Sequence, residues 1–218
     1  MEKHTLLPFL LALLAAPVQA APDRQAAPLQ PVPDPKQAAP KQATPEESGI
    51  PAFLDTPDPA KRGEYDKAAD GDSPRATRLY GELLLQEGDD DGFAYVDRAA
   101  RKGDARAAFI VAESLAYGHH GQPQDHTLAL KWLHTAMSGD YPPAYELMAA
   151  ISWDGAWDSL RNTHDAVWYL DKAIAGYSAH MPQEPEAARA LGEYIAKLKT
   201  LSATLARLKD YDWVGLER

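Results

Sequence analysis

The residues with the clearest potential for chemistry are three histidines in a short polar stretch. His119, His120 and His126 lie within eight residues, and Asp125 stands among them. Imidazole nitrogens and carboxylate oxygens are ligands for zinc or copper, so this stretch offers donors for a metal ion. The adjacent side chains at 119 and 120 are expected to point in different directions, and no supporting pattern accompanies them. We therefore interpret the stretch as a polar loop and predict no metal site.

Nucleophilic and phosphate-binding chemistry finds little support in the residues. Ser114, Ser138 and Ser152 lie in helical patterns, and none stands in a G-x-S-x-G motif. The chain has no cysteine, which excludes a thiol nucleophile and cysteine-ligated zinc. Asp89–Asp91 lacks the alternating ligand spacing of a calcium loop, and no glycine-rich phosphate loop is present. The sequence therefore predicts a protein that is not an enzyme and uses no cofactor.

The net charge argues against nucleic acid as a partner. The 218 residues carry 22 lysines and arginines against 32 aspartates and glutamates, for a net charge of −10. An acidic chain repels nucleic acid and anionic membrane surfaces at a distance. We therefore expect no nucleic-acid partner.

The N-terminal segment predicts export. The apolar run Leu6–Ala16 is too short to span a bilayer, which needs about 20 residues. Val18 and Ala20 satisfy the small-residue rule for signal peptidase, which places cleavage before Ala21. We expect residues 1–20 to be a signal peptide. The mature protein is then periplasmic or secreted, without stable membrane insertion.

Residues 21–60 have the composition of a linker. Ten of the 18 prolines lie between Pro22 and Pro59, and the first aromatic residue is Phe53. Such a segment cannot bury enough apolar surface to offset the entropy lost on ordering. We predict a disordered Pro/Ala-rich linker, acting either as a plain spacer or as a tether that docks a partner.

From residue 61 to 176 the chain shows a repeat of about 36 residues. Gly-Asp occurs at residues 71–72, 103–104 and 139–140, and Gly176 follows, at intervals of 32, 36 and 37. A period in this range is typical of stacked helix pairs. In such a pair Gly ends one helix in a left-handed conformation and Asp caps the next helix.

The repeats also align residue by residue. Small residues recur at fixed positions and let neighbouring helices approach closely, whereas Trp132 and Tyr169 share an aromatic position. The matched small residues, each 37 positions apart, are Ala107 with Ala144, Ala112 with Ala149, Gly118 with Gly155, Ala129 with Ala166, and Ala136 with Ala173.

These units resemble Sel-1-like repeats, the helix pairs related to tetratricopeptide repeats. The family pattern is roughly A-x(3)-LG-x(2)-Y-x(2)-G, a loop with an aspartate, and A-x(2)-W-x(3)-AA-x(2)-G. The resemblance covers Ser73–Gly176, although the LG pair is replaced by Tyr80-Gly81, Val111-Ala112 and Met148-Ala149. It implies an all-α, right-handed α-solenoid of about three helix pairs. It also implies protein binding, because the family consists mostly of adaptors.

Capping residues set the expected helix boundaries. Ser73 followed by Pro74 predicts the start of the first helix, Asp125 should cap the second helix of unit two, and Asn162 or Thr163 should do so in unit three. We predict six helices, over about 73–87, 92–102, 105–117, 126–138, 142–153 and 163–175.

A long C-terminal helix is predicted in the region 177–218, from Pro185 to about Asp210. Apolar residues recur in it at spacings of three and four: Leu191, Tyr194, Leu198, Leu201, Leu205 and Leu208. This stripe either covers the open end of the last repeat or forms a coiled coil, as a homodimer seam or a partner site. The tail Tyr211–Trp213 is either packed or an exposed anchor.

The free face of the first helices, where residues do not repeat, is the predicted binding site. Leu79, Ile110 and Leu147 fall in one row across the three units, so they either line an apolar groove or pack between helices. The remaining candidate residues, with the charge and aromatic character of protein interfaces, are Glu82, Arg106, Glu113 and Tyr117.

The function expected from these observations is that of a non-catalytic adaptor that binds another protein, in the bacterial cell envelope. The resemblance implies two narrower adaptor roles, a toxin-immunity protein and a flagellar-motor component. The alternative class is a protein that binds or hydrolyses cell-wall fragments.

Overall fold

The computed structural model describes residues 54–157, 159 and 161–208. The predicted signal peptide, linker residues 21–53 and the tail Tyr211–Trp213 lie outside this range. Within it, all regular secondary structure is helical. None of the helices in the described part of the chain has the length and apolar character needed to span a membrane.

The helices follow one another with short connections, after a 3-10 turn at Pro59–Lys61. In the described residues they are α1 (Arg62–Ala69), α2 (Pro74–Gln86), α3 (Gly92–Arg101), α4 (Ala105–Tyr117), α5 (His126–Ser138), α6 (Pro142–Asp154), α7 (Thr163–Ala179) and α8 (Pro185–Leu208).

Three helix pairs and a long C-terminal helix confirm the predicted all-α fold. The pairs are α2 with α3, α4 with α5, and α6 with α7, and α8 packs on α7. The six predicted repeat helices all form, and α7 ends four residues later than expected. Helix α1, which packs on α2, was not predicted, because its short polar sequence has few apolar residues to mark a helix.

The recurring small residues lie where helices approach closely. Ala129 and Ala166 are fully buried, as the alignment of the units requires. One close crossing is between α2 and α3, at Gly81 and Gly92. A Cβ atom added to Gly81 would lie 2.7 Å from the carbonyl oxygen of Gly92, so a larger residue cannot fit without a shift.

Side-chain caps begin four of the helices and confirm the predicted boundaries. Ser73 Oγ accepts a hydrogen bond from the Ala76 amide. Asp104, Asp125 and Asn162 cap α4, α5 and α7 in the same way, each accepting from the amide three residues later. Each cap satisfies an amide that the helix itself leaves without an acceptor.

The Gly-Asp dipeptide acts as predicted at only one of its three positions. Gly103 has a left-handed φ of 96° and Asp104 caps α4. The first unit instead begins with Ser73 as its cap. In the third unit Asp140 adopts the left-handed conformation, with φ 54°, and Gly139 does not. The expectation was wrong at these two positions because the turn geometry, and not the dipeptide, decides which residue adopts positive φ.

The apolar stripe of α8 packs inside the chain. Leu191, Leu198 and Leu205 are buried in one cluster with residues of α7. Ser202 also donates a 2.8 Å hydrogen bond to Asp171 of α7. These contacts correspond to the first of the two predicted roles, covering the last repeat, whereas Leu208 at the end of the stripe is exposed.

Residues 54–60 were predicted to belong to the disordered linker, but part of this stretch is buried against the helices. Asp55 is buried and bonded to side chains of α2, and Pro57 is buried beside it. The composition did not indicate this contact, because ion pairs of Asp55 with Arg75 and Arg78, and not a large apolar side chain, hold the stretch on α2.

Candidate functional site on the first helices

The predicted apolar row is not an exposed groove. Leu79 is 1% exposed and Leu147 is 8% exposed, so both belong to the core. Ile110 is half-buried and packs against the same core as Leu147. Of the two alternatives for this row, packing between helices is correct for Leu79 and Leu147. A leucine at this register reaches the neighbouring helices and is covered by them.

A buried arginine, Arg78, lies near the middle of α2, the first helix of the first repeat. It was not among the predicted site residues. Arg78 of α2 donates from Nη2 to Asp55 Oδ2 (2.6 Å) and from Nη1 to Glu82 Oε1 (2.7 Å). Its Nε donates to Asp104 Oδ2 at 3.1 Å. Burial alone would lower the pKa of Arg78, but the three carboxylates together raise it, so the guanidinium stays charged.

Asp55 is held by two arginines at once. Arg75 binds both carboxylate oxygens, at 2.7 Å from Nε and 2.6 Å from Nη2. Arg78 binds the carboxylate and also donates to the backbone carbonyl of Asp55, at 3.0 Å. Burial would raise the pKa of Asp55, but the hydrogen bonds and charges of Arg75 and Arg78 outweigh burial and hold it below its ordinary value.

Two predicted site residues, Glu82 and Arg106, join this network. Glu82 accepts from Arg78 through one oxygen and from Arg106 Nη2, at 2.7 Å, through the other. The network therefore runs from the segment before α1, through α2, to the first helix of the second repeat. The spacing of Arg78 and Glu82, four residues apart, was a signal for this pair. No local signal points to Asp55.

Partly exposed side chains remain on the free face of α4. Arg106, Ile110, Glu113 and Tyr117 lie along this face at spacings of four, three and four residues. Burial raises the pKa of Glu113 to about 8, although the charge of Arg106 opposes the shift. Burial, and then the nearby Glu113, raise the pKa of the Tyr117 hydroxyl. The protonated form of Glu113 is therefore favoured relative to that of an exposed glutamate.

Equivalent residues in the first helices of the three repeats contact the element that follows. This position in the repeat is called the register position, and the type of contact differs at each repeat. In the first repeat it is Arg78, whose partner is Asp104. In the second it is Phe109, whose ring centroid lies 5.3 Å from that of Tyr141. In the third it is Glu146 of α6, which faces α8.

Glu146 binds the C-terminal helix through a tyrosine. Its Oε2 accepts a hydrogen bond from the Tyr194 hydroxyl of α8, and its Oε1 is buried without a hydrogen-bond partner among the described residues. Burial raises the pKa of Glu146, and hydrogen bonds from Tyr177 and Tyr194 act in the opposite direction. The contact joins α6 to the covering helix.

The histidine stretch does not converge on one point. Asp125 is engaged in capping α5, and His126 stacks on Trp157 with 5.2 Å between ring centroids. His120 Nδ1 lies 3.8 Å from Asp90 Oδ1 of the preceding repeat. Burial and His119 lower the pKa of His120, whereas Asp90 raises it. In residues 54–208, as far as they are described, no three potential ligands are placed to hold a metal ion.

Comparison with known proteins gives likenesses among solved structures. No family model matches the sequence, and no curated protein matches it. Among solved structures, the chain is similar to a Sel1 repeat protein from Oxalobacter formigenes, with 20% sequence identity and a TM-score of 0.47. The match covers 60% of this chain and 96% of that chain. That protein carries the name of the family that the repeats resemble.

Proposed function

We propose that this protein is a non-catalytic helical-repeat adaptor that binds another protein, in the bacterial periplasm or outside the cell. The observation that carries the proposal is the free face of α4. There Arg106, Ile110, Glu113 and Tyr117 remain partly exposed in a row. Arginine and tyrosine are enriched at protein interfaces, and a half-buried apolar residue between them is suited to a partner side chain.

The first helices on either side do not offer the same row. In α2 the corresponding Leu79 and Glu82 are both buried, whereas Arg106, which binds Glu82, stays partly exposed. In α6 the corresponding Leu147 is buried. The middle repeat is therefore the part of the array that we expect to contact a partner.

Capture of the partner tests this proposal. Full-length tagged protein would be isolated from the envelope fraction after cross-linking, and the cross-linked proteins identified by mass spectrometry. We expect a partner to be recovered with the wild-type chain and lost with Tyr117→Ala. Met181→Glu, an apolar-to-acidic change at an exposed residue away from α4, is the control and should retain the partner. Binding or cleavage of a cell-wall fragment, with no protein recovered, would show that the adaptor proposal is wrong.

Export is a separate part of the proposal and has its own test. The spacing of Val18 and Ala20 supports cleavage before Ala21. The mass of the protein released by osmotic shock should correspond to a chain that begins at Ala21. Full-length protein confined to the cytoplasm would contradict export.

A further inference from the structure

The segment Leu54–Asp58, called the strap below, lies on α2 and contains a tight turn. The Thr56 amide donates to the Leu54 carbonyl oxygen at 3.0 Å, so Asp55 lies at the centre of a three-residue turn. Asp55 and Pro57 are buried, whereas Thr56 and Asp58 are exposed. The strap therefore shows how α2 receives a peptide.

The receiving site recognises two features of that peptide. Arg75 and Arg78 together bind the carboxylate of Asp55 through three charge-assisted hydrogen bonds of 2.6–2.7 Å. Arg78 also binds the backbone carbonyl of the same residue, at 3.0 Å. Paired contacts from guanidinium groups select a carboxylate by geometry as well as by charge. The site thus recognises an acidic side chain together with the backbone carbonyl of the same residue.

Asp55 of the strap is not the only group that neutralises the charge of Arg78. When Asp55 leaves, Arg78 keeps Glu82 and Asp104, which come from α2 and α4. The Arg78 donors that faced Asp55 then lack that acceptor in a buried place, which is costly unless another anion enters. The site without the strap is therefore preformed and selective for a carboxylate.

We propose that Arg75 and Arg78 form a binding site for an acidic segment of a partner protein, which the strap occupies within the same chain. The inference rests on the proposed adaptor function for the existence of a partner. Because the strap is covalently attached, its effective concentration at the site reaches the millimolar range for a short connection. A segment of a partner must therefore bind more tightly than the strap, or be helped by contacts elsewhere on the protein, to displace it. The strap thus limits binding to partners that make further contacts.

Binding of the strap's own sequence from solution tests the proposal. The probe is a labelled peptide of residues 52–60, AFLDTPDPA, titrated into the full-length Asp55→Ala variant and followed by fluorescence anisotropy. We expect the variant to bind this peptide at least tenfold more tightly than the wild-type chain does. The same peptide with the Asp55→Asn change should bind at least tenfold more weakly. Adding Arg75→Ala to the variant should abolish binding, whereas Arg62→Ala, at an exposed arginine, should not.

Three results would overturn the proposal: no binding to a folded Asp55→Ala chain, equal binding of the peptide with Asp55→Asn, or equal binding to the wild type. If Asp55→Ala is not stable alone, acetate is added to the same variant, because the truncated side chain leaves room for a separate carboxylate. Acetate should raise its melting temperature, and this rescue should disappear with Arg75→Ala. Absence of rescue also contradicts the proposal.

A partner captured through Tyr117, with no peptide binding, would refute the strap site and leave the adaptor function standing. Peptide binding with no captured protein would show that the site accepts an acidic segment but would refute both the adaptor function and the partner's segment as its ligand.

Discussion

Arg78 of the first repeat and Asp104 of the second are joined by a 3.1 Å hydrogen bond from Nε to Oδ2. The other carboxylate oxygen of Asp104 accepts from the Ala107 amide at 2.8 Å and caps α4. One carboxylate therefore starts a helix and binds the preceding repeat. As a result, the start of the second repeat and its contact with the first are stabilised together.

Loss of the buried arginine should destabilise the whole first half of the array. Arg78→Ala leaves Asp55, Glu82 and Asp104 without the donors that Arg78 supplies, in a buried site. Breaking a buried ion pair by removing one partner costs about 3–5 kcal/mol. Urea unfolding should show this loss in the free energy of unfolding. Arg62→Ala removes an exposed ion pair with Glu87 and should leave the unfolding curve unchanged. A small effect of Arg78→Ala would mean that the network contributes little.

Two glycine substitutions should act in opposite directions. Gly81→Ala places a Cβ 2.7 Å from the carbonyl oxygen of Gly92 and 2.9 Å from Tyr95 Cβ. We expect it to destabilise the protein by about 1–3 kcal/mol, as overpacking does. Gly192→Ala, inside α8, meets no atom within 4 Å and should stabilise by about 0.5–1 kcal/mol. Thermal melts of both variants check this, and melting shifts of the same sign would contradict the crossing geometry.

The contribution of Glu113 to stability should fall as the pH rises from acidic to mildly basic values. Its ordinary pKa is 4.5, and burial raises it to about 8 in the folded protein. Between these values the folded state binds more protons than the unfolded state. The contribution is therefore complete below about 4.5 and lost as the pH rises through about 8. Urea unfolding at several pH values should show a flatter dependence for Glu113→Gln than for the wild type. Glu193→Gln, at an exposed residue of α8, is the control, and equal pH dependence in both variants would contradict the prediction.

Removal of one hydroxyl should loosen the C-terminal helix. Tyr194→Phe takes away the donor that Glu146 receives from α8 and leaves a buried carboxyl group less satisfied. The cost expected for a buried group that loses its partner is about 1–3 kcal/mol. Hydrogen exchange should become faster in α8 and stay unchanged in α2 and α3. Thr204→Ala, exposed on the same helix, should leave exchange as it is, and acceleration throughout the chain would argue against a local role.

The sequence predicted the helices well because their ends are encoded locally. Ser73, Asp125 and Asn162 were each expected to cap a helix, and each does so. The aligned alanines were expected at close helix contacts, and Ala129 and Ala166 are buried there. Signals of this kind act over a few residues or recur at a fixed period, so they are visible in one sequence.

The candidate site was less predictable, because it depends on contacts between distant residues. Asp55 meets Arg78 across 23 positions, and no period or spacing links a residue of the proline-rich stretch to α2. The burial of Leu79 likewise follows from the neighbouring helices and not from its own helix. Arg106, Ile110, Glu113 and Tyr117 could be placed on one face by helical spacing, and they do lie partly exposed there.

The register position occupied by Arg78, Phe109 and Glu146 also fixes the order of the units. Each junction uses a different pairing, since an arginine meets a carboxylate, two aromatic rings meet, and a carboxyl group meets a tyrosine. If the third unit preceded the second, Glu146 would face Asp104, and two acids would meet where a guanidinium now binds one. The units therefore cannot be permuted or duplicated freely. This array would have to evolve by changes at single residues more than by exchange of whole units.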